Sequence, residues 1–287
     1  MTTETTPIDP PGSAAPPLVV GADIEADDGA DAGTPSLEIL REIVRGGLAG
    51  LLVGVLLGGV GGRLVMRAAA LLVPEAAGLP TENGNAIGAI TLGGSLALIV
   101  FIGLFVGVIA GSLWVVIAPW MPTATAPRAL LSIPIAIALG TLALIDDRNQ
   151  DFAVLQRDPF VIALLVVLVG LHGPAFVAAE RWLDGRLPHA KPRDFRLVGA
   201  YAMVAILGTF LTIILVVPLY LFTDMTVAGI GVFVVGLATL WSWRGRTRGG
   251  GPPGRWLTLV ARAGLAGATL AGLVVAVREI SGALAID

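Results

Sequence analysis

Residues 46–67 read GGLAGLLVGVLLGGVGGRLVMR, with glycine at Gly46, Gly50, Gly54, Gly58 and Gly62 and no charge before Arg63 and Arg67. Residues four apart share one face of a helix. Five glycines on that face make a flat groove about 25 Å long at 1.5 Å rise per residue. A run this long and this apolar spans a bilayer, for which about 20 residues suffice. In lipid no hydrophobic force draws helices together, so close backbone approach and dispersion must do it, and small residues four apart permit that approach. A second segment repeats the spacing with Gly103, Gly107 and Gly111, and the last offers Ala263, Gly267 and Ala271 beside Gly264, Ala268 and Gly272. These glycines are read as helix-packing residues, with the first, second and last spans at the centre. The competing reading has the stripe line a pore or receive a partner chain.

The rest of the composition agrees with a membrane chain. Of 287 residues 55% are hydrophobic and 14% charged, against about 25% charged in soluble domains, and the mean hydropathy is +0.87. Cysteine is absent, which removes disulfides and thiolate chemistry, and the two histidines, His172 and His189, are too few for a histidine-rich metal centre. Residues 1–42 hold nine acids against one base, Arg41, in a Pro-, Thr- and Ala-rich setting. Such a segment cannot bury enough apolar surface to offset its ordering entropy. Residues 1–40 are therefore expected to form a disordered acidic tail, and 41–287 a transmembrane helical domain.

Seven apolar segments are expected to span: 44–72, 89–118, 128–146, 159–180, 197–222, 226–243 and 258–280. The fold class is all-α, a polytopic bundle. Proline, glycine and asparagine separate the segments, and Asp158 is placed to cap a helix that Pro159 begins. Thr223 or Asp224 has the same role before the sixth span. If the N-terminus is cytoplasmic, twelve Lys and Arg fall on the inner side and five on the outer. That bias sets orientation and puts the C-terminus outside. Trp114, Trp120, Trp182, Trp241, Trp243 and Trp256 all fall near the expected inner interface. Arg45-Gly-Gly-Leu-Ala-Gly50 faintly echoes Arg262-Ala-Gly-Leu-Ala-Gly267, and each arginine would sit at the inner mouth of its span.

Three polar residues are candidates for ligand or lipid contact. Arg63 and Arg67 share a face at the outer end of the first span. They reach either outward to lipid phosphate or inward to an anion or an outer-loop acid such as Asp146, Asp147 or Asp151, since a guanidinium forks onto either group. His172 stands beside Gly173 and Pro174 in the fourth span, where the imidazole can satisfy the carbonyl that proline frees. The outer stretch Asp146-Asp-Arg-Asn-Gln-Asp151 clusters oxygen ligands but lacks the EF-hand spacing, so no metal is expected there.

Several classes are excluded or unsupported. The single lysine, Lys191, lies in a loop, so no span offers a Schiff-base amine; no Walker loop and no GxSxG occurs. No cofactor, catalytic residue or nucleic-acid partner is expected. The expected partners are membrane lipids, with anionic headgroups at the basic inner loops, and a second copy or another membrane chain. A non-enzymatic helix-packing scaffold or subunit is the leading functional reading. The alternative is a small transporter or channel for an anionic or lipid-like substrate.

Overall fold

The structure is a computed structural model that describes residues 34–81, 84, 86–144, 150–222 and 226–285. The chain divides into Met1–Ala32 and Gly33–Asp287, and the described residues belong to the second unit. The expected acidic tail therefore lies outside the described residues up to Gly33, and helix begins at Pro35.

The protein is all-α. Its helices are α1 (Pro35–Leu72), α2 (Leu92–Trp120), α3 (Thr125–Leu144), the short α4 (Gln150–Val154), α5 (Pro159–Asp184), α6 (Phe195–Phe222), α7 (Thr226–Thr247) and α8 (Arg255–Leu284). Among the described residues there is no strand, only one isolated bridge between Pro80 and Ala86. Six of these helices, all but α3 and α4, are long and apolar enough to cross a membrane. The apolar part of α3, Thr125–Thr141, is shorter, so six of the seven expected crossings have the length and composition to span. The helix outer faces carry large exposed apolar side chains, among them Leu64, Phe101, Ile206, Phe210, Phe233 and Val274. Water would not tolerate an apolar surface of this extent on a monomer, whereas lipid does. The protein is a multi-pass membrane bundle.

Local chemistry sets the helix ends. Asp158 caps α5 as expected, its carboxylate accepting from the amides of Phe160 (2.8 Å) and Val161 (3.1 Å). Thr91 does the same for α2, accepting from the Gly94 amide at 3.2 Å. At the far end of α8, Arg157 donates to the carbonyls of Gly282 (3.0 Å) and Ala285 (2.6 Å), a cation on the negative end of a helix dipole. Thr223 and Asp224 lie outside the described residues.

Helices α1 and α2 run antiparallel and meet along their glycines. A methyl group at Gly107 would lie 2.7 Å from the Gly50 carbonyl oxygen, and one at Gly111 would lie 2.9 Å from that of Gly46. One at Gly103 would lie 3.0 Å from the Val55 Cα, and one at Gly54 2.7 Å from the Gly107 Cα. The two backbones are in contact, with no space for a side chain between them. At this crossing both helices widen into π-helical segments, Gly54–Gly61 in α1 and Ile99–Val106 in α2, which pack on one another. Extended π segments are rare. Here they keep the backbone paired inside the helix, as lipid requires.

Helix α5 forms the other half of the centre. It packs on α3 and on α1, with Gly173 so close to α3 that a methyl there would lie 2.5 Å from the Ser132 carbonyl carbon. Trp114 of α2 stacks on Phe176 of α5, and both belong with Val177 and Leu183 to the main buried apolar cluster. The last span is placed differently from expectation: α8 packs chiefly on α7 and α3. Its Gly264 and Ala268 meet Gly231 of α7, and its Gly272 meets Ala138 of α3. Helix α6 lies at the periphery, with only 6% of its apolar window buried.

Candidate functional site

The residues singled out in sequence fall at separate places. Gly46, Gly50 and Gly54 meet Gly103, Gly107 and Gly111 in the crossing already described. Gly58 is buried within the π segment of α1. Gly62 lies near Leu98, whose Cδ2 would be 3.1 Å from an added methyl. Arg63 and Arg67 turn toward the α1–α2 connection: Arg67 donates to the Gly88 carbonyl at 3.1 Å and Arg63 reaches the Ala89 carbonyl at 3.5 Å. Gly88 sits at φ +76°, and a methyl there would collide with Ala70, so glycine is required where the loop presents its carbonyl to Arg67. Asp146 and Asp147 lie outside the described residues. His172 donates from Nδ1 to the Leu168 carbonyl at 2.8 Å. That carbonyl is one turn before the histidine itself, not the Gly170 carbonyl that Pro174 frees.

The densest polar constellation is at the other end of the bundle, and sequence reasoning missed it. Glu180 is 7% exposed although it stands in the last turns of α5. Its Oε1 pairs with Arg45 of α1 at 3.2 Å, and its Oε2 pairs with Arg128 of α3 at 2.8 Å. The Trp114 indole of α2 donates to the same Oε2 at 3.1 Å. One carboxylate therefore joins four helices. The Arg128 guanidinium also lies 5.3 Å from the Trp114 ring centroid, and Trp114 stacks on Phe176. A charge can be buried when it is paired and hydrogen-bonded, and Glu180 meets both conditions.

One turn further along α5, Asp184 takes Arg41 at 2.9 Å and also pairs with Arg45. Arg41, 5% exposed, also donates to the backbone carbonyls of Asp184 (2.7 Å) and Leu187 (3.1 Å). The first turns of α1 are tied down twice more. Glu42 receives a bidentate pair from Arg246 of α7, both bonds 2.8 Å, and Glu38 accepts from His189 at 2.9 Å. The neighbouring Trp120 is 3% exposed, its indole donating to Thr239 of α7 at 2.8 Å, while Arg262 donates to its carbonyl at 3.2 Å. Trp114 and Trp120 thus serve as interior residues rather than interface anchors, whereas Trp182, Trp241 and Trp256 are exposed.

The signal for Glu180 was present in the spacing. Gly173, Phe176, Val177, Glu180 and Asp184 repeat at the interval of one helix face, and the first three are buried. Glu180 is the last residue of the expected 159–180 span, and the helix runs on to Asp184. Among the described residues no group of three or more His, Cys, Asp or Glu could hold a metal ion. The cluster offers no nucleophile beside a base. Its chemistry is that of charge pairing: three guanidiniums, of Arg41, Arg45 and Arg128, and two carboxylates, of Glu180 and Asp184, arranged around helix ends.

Comparison with protein-family models, with curated proteins and with solved structures finds no match.

Proposed function

We propose that this protein is a non-enzymatic membrane scaffold or subunit: a rigid helical bundle that presents its peripheral helices to lipid or to a second membrane chain. The observation that carries the reading is the backbone-on-backbone crossing of α1 and α2. The glycine stripe is occupied from within the chain, which is the role of a glycine zipper and not of a pore lining. The four-helix contact on Glu180 supports the same reading, because it immobilises the end of the bundle that a moving transporter would need to open. Helix α6, hardly buried and bearing Gly199 and Gly208 with open space beside them, is the surface left for a second copy or a partner chain. Helix α3 makes the seventh crossing, with Pro119 to Ala124 and the α5–α6 connection on the cytoplasmic side, as the arginine bias favours. Anionic headgroups meet the basic segments around Arg193, Arg196, Arg244 and Arg248.

The test is native mass spectrometry of the protein released gently from its own membrane, combined with the double variant Arg63→Gln and Arg67→Gln. A defined oligomer or stoichiometric complex is expected, and it should persist in the variant. A monomer without partner chain would overturn the reading. Measured substrate flux in vesicles that the variant abolishes without unfolding the protein would replace it with transport.

A further inference from the structure

We infer that the arginine-rich end of the bundle holds a phosphate-group binding site between the start of α3 and the end of α5. An open cleft of about 310 Å³ lies there, walled by Thr123, Thr125, Arg128, Arg181 and Asp184. Its charge is unbalanced. Arg41, Arg45 and Arg128 already exceed the two carboxylates they pair with, Glu180 and Asp184. Arg181 makes no ion pair among the described residues, so the site carries two positive charges in excess. The acid on the cleft wall, Asp184, is half-exposed but paired with two guanidiniums, so it does not repel an anion as a bare carboxylate would. The Arg128 Nε is buried without a hydrogen-bond partner. Thr123 and Thr125 add hydroxyl donors, and α3 starts at Thr125, so its positive dipole end adds to the same field.

The chemistry that fits is a compact, doubly ligated oxyanion. Guanidinium forks and hydroxyls together match phosphate. A phosphate could arrive on a phospholipid headgroup or free from solution, since the cleft is open and stands at the end of the apolar spans. This site is independent of the scaffold reading: it requires only the membrane bundle and the cleft.

The experiment uses the full-length protein in mild detergent, with phosphatidylglycerol, phosphatidylcholine and inorganic phosphate as probes in native mass spectrometry and calorimetric titration. Arg181→Gln removes the unpaired cation, Ala124→Trp fills the cleft without changing charge, and Arg278→Gln, at an exposed position in the last turns of α8, removes an equal charge elsewhere as control. Wild-type protein should bind, and the first two variants should weaken binding roughly tenfold, the value of one lost charge-assisted hydrogen bond, while the control leaves it unchanged. Phosphatidylglycerol binding that millimolar phosphate does not displace identifies the lipid headgroup as the source. Displacement by phosphate, or saturable binding of phosphate alone, identifies the free anion. Equal loss in Arg181→Gln and Arg278→Gln, or no loss in either cleft variant, overturns the site. Failure of this test leaves oligomeric state untouched, so it is distinguishable from failure of the scaffold reading.

Discussion

Arg45 and Glu180 form a 3.2 Å ion pair between α1 and α5, and the opposite oxygen of the same carboxylate takes Arg128 of α3. The pairing is asymmetric in what it implies. Two cations share one acid, so loss of the acid is worse than loss of either arginine. Glu180→Ala takes from Arg128 the carboxylate it pairs with and leaves Arg45 to Asp184 alone, a change of about 3 kcal/mol. Thermal unfolding in detergent checks it: Glu180→Ala should melt well below Arg45→Gln, and equal melting temperatures would show that the carboxylate is not the shared anchor.

The glycine crossing predicts a contrast between neighbours on one helix. A methyl at Gly50 runs into the Gly107 carbonyl and the Gly111 backbone, whereas a methyl at Gly47 meets nothing within 4 Å. Gly50→Ala should destabilise by about 1–3 kcal/mol through overpacking. Gly47→Ala should be neutral or stabilise by up to about 1 kcal/mol, as alanine does inside a helix. Chemical or thermal unfolding of the two variants side by side decides the matter, and similar behaviour would count against the contact.

Arg157 holds the free end of α8 through two carbonyls. Arg157→Ala should fray the last turn by about 1 kcal/mol. Amide exchange over residues 280–285 is the readout. Faster exchange there, with α7 unaffected, is the expected pattern; unchanged exchange would show that the arginine is not holding the helix end.

Thr239 stands between α2 and α7, accepting from the Trp120 indole at 2.8 Å and donating to the Val116 carbonyl at 2.8 Å. Thr239→Val keeps the shape and strands a buried indole N–H, at about 1–3 kcal/mol. Thr239→Ser retains the hydroxyl and should recover most of the loss. If valine is tolerated as well as serine, packing alone joins the two helices here.

Much of the bundle was legible because lipid imposes a strong rule on sequence. A spanning helix must be apolar along its length and must satisfy its own backbone, so the apolar segments and the proline and glycine between them mark the long helices to within a few residues, except that α1 begins at Pro35 and not at 44. Asp158 before Pro159 is a local signal, and it caps α5 in place. The spacing of Gly46, Gly50 and Gly54 shows that one face of α1 is bare, but spacing does not name the helix that fills it. The expectation that the last span joins the first two was wrong, because Gly264 and Gly272 of α8 are met by Gly231 of α7 and Ala138 of α3.

Charge was the least legible feature. The expected span ends at Glu180 and leaves Asp184 in the connection after it, and Arg41 and Arg45 count there only toward orientation. The sequence by itself determined an all-α chain built for lipid, where its helices lie, and which faces are small enough for backbones to touch. Those follow from local composition and from periods of three to four residues. Tertiary structure alone decided which glycines meet, why Trp114 and Trp120 are interior, and how Arg45 and Arg128, 83 positions apart in the chain, come to share Glu180. Ion pairs and helix contacts depend on the order in which helices stand around one another, and no local pattern in the chain encodes that order.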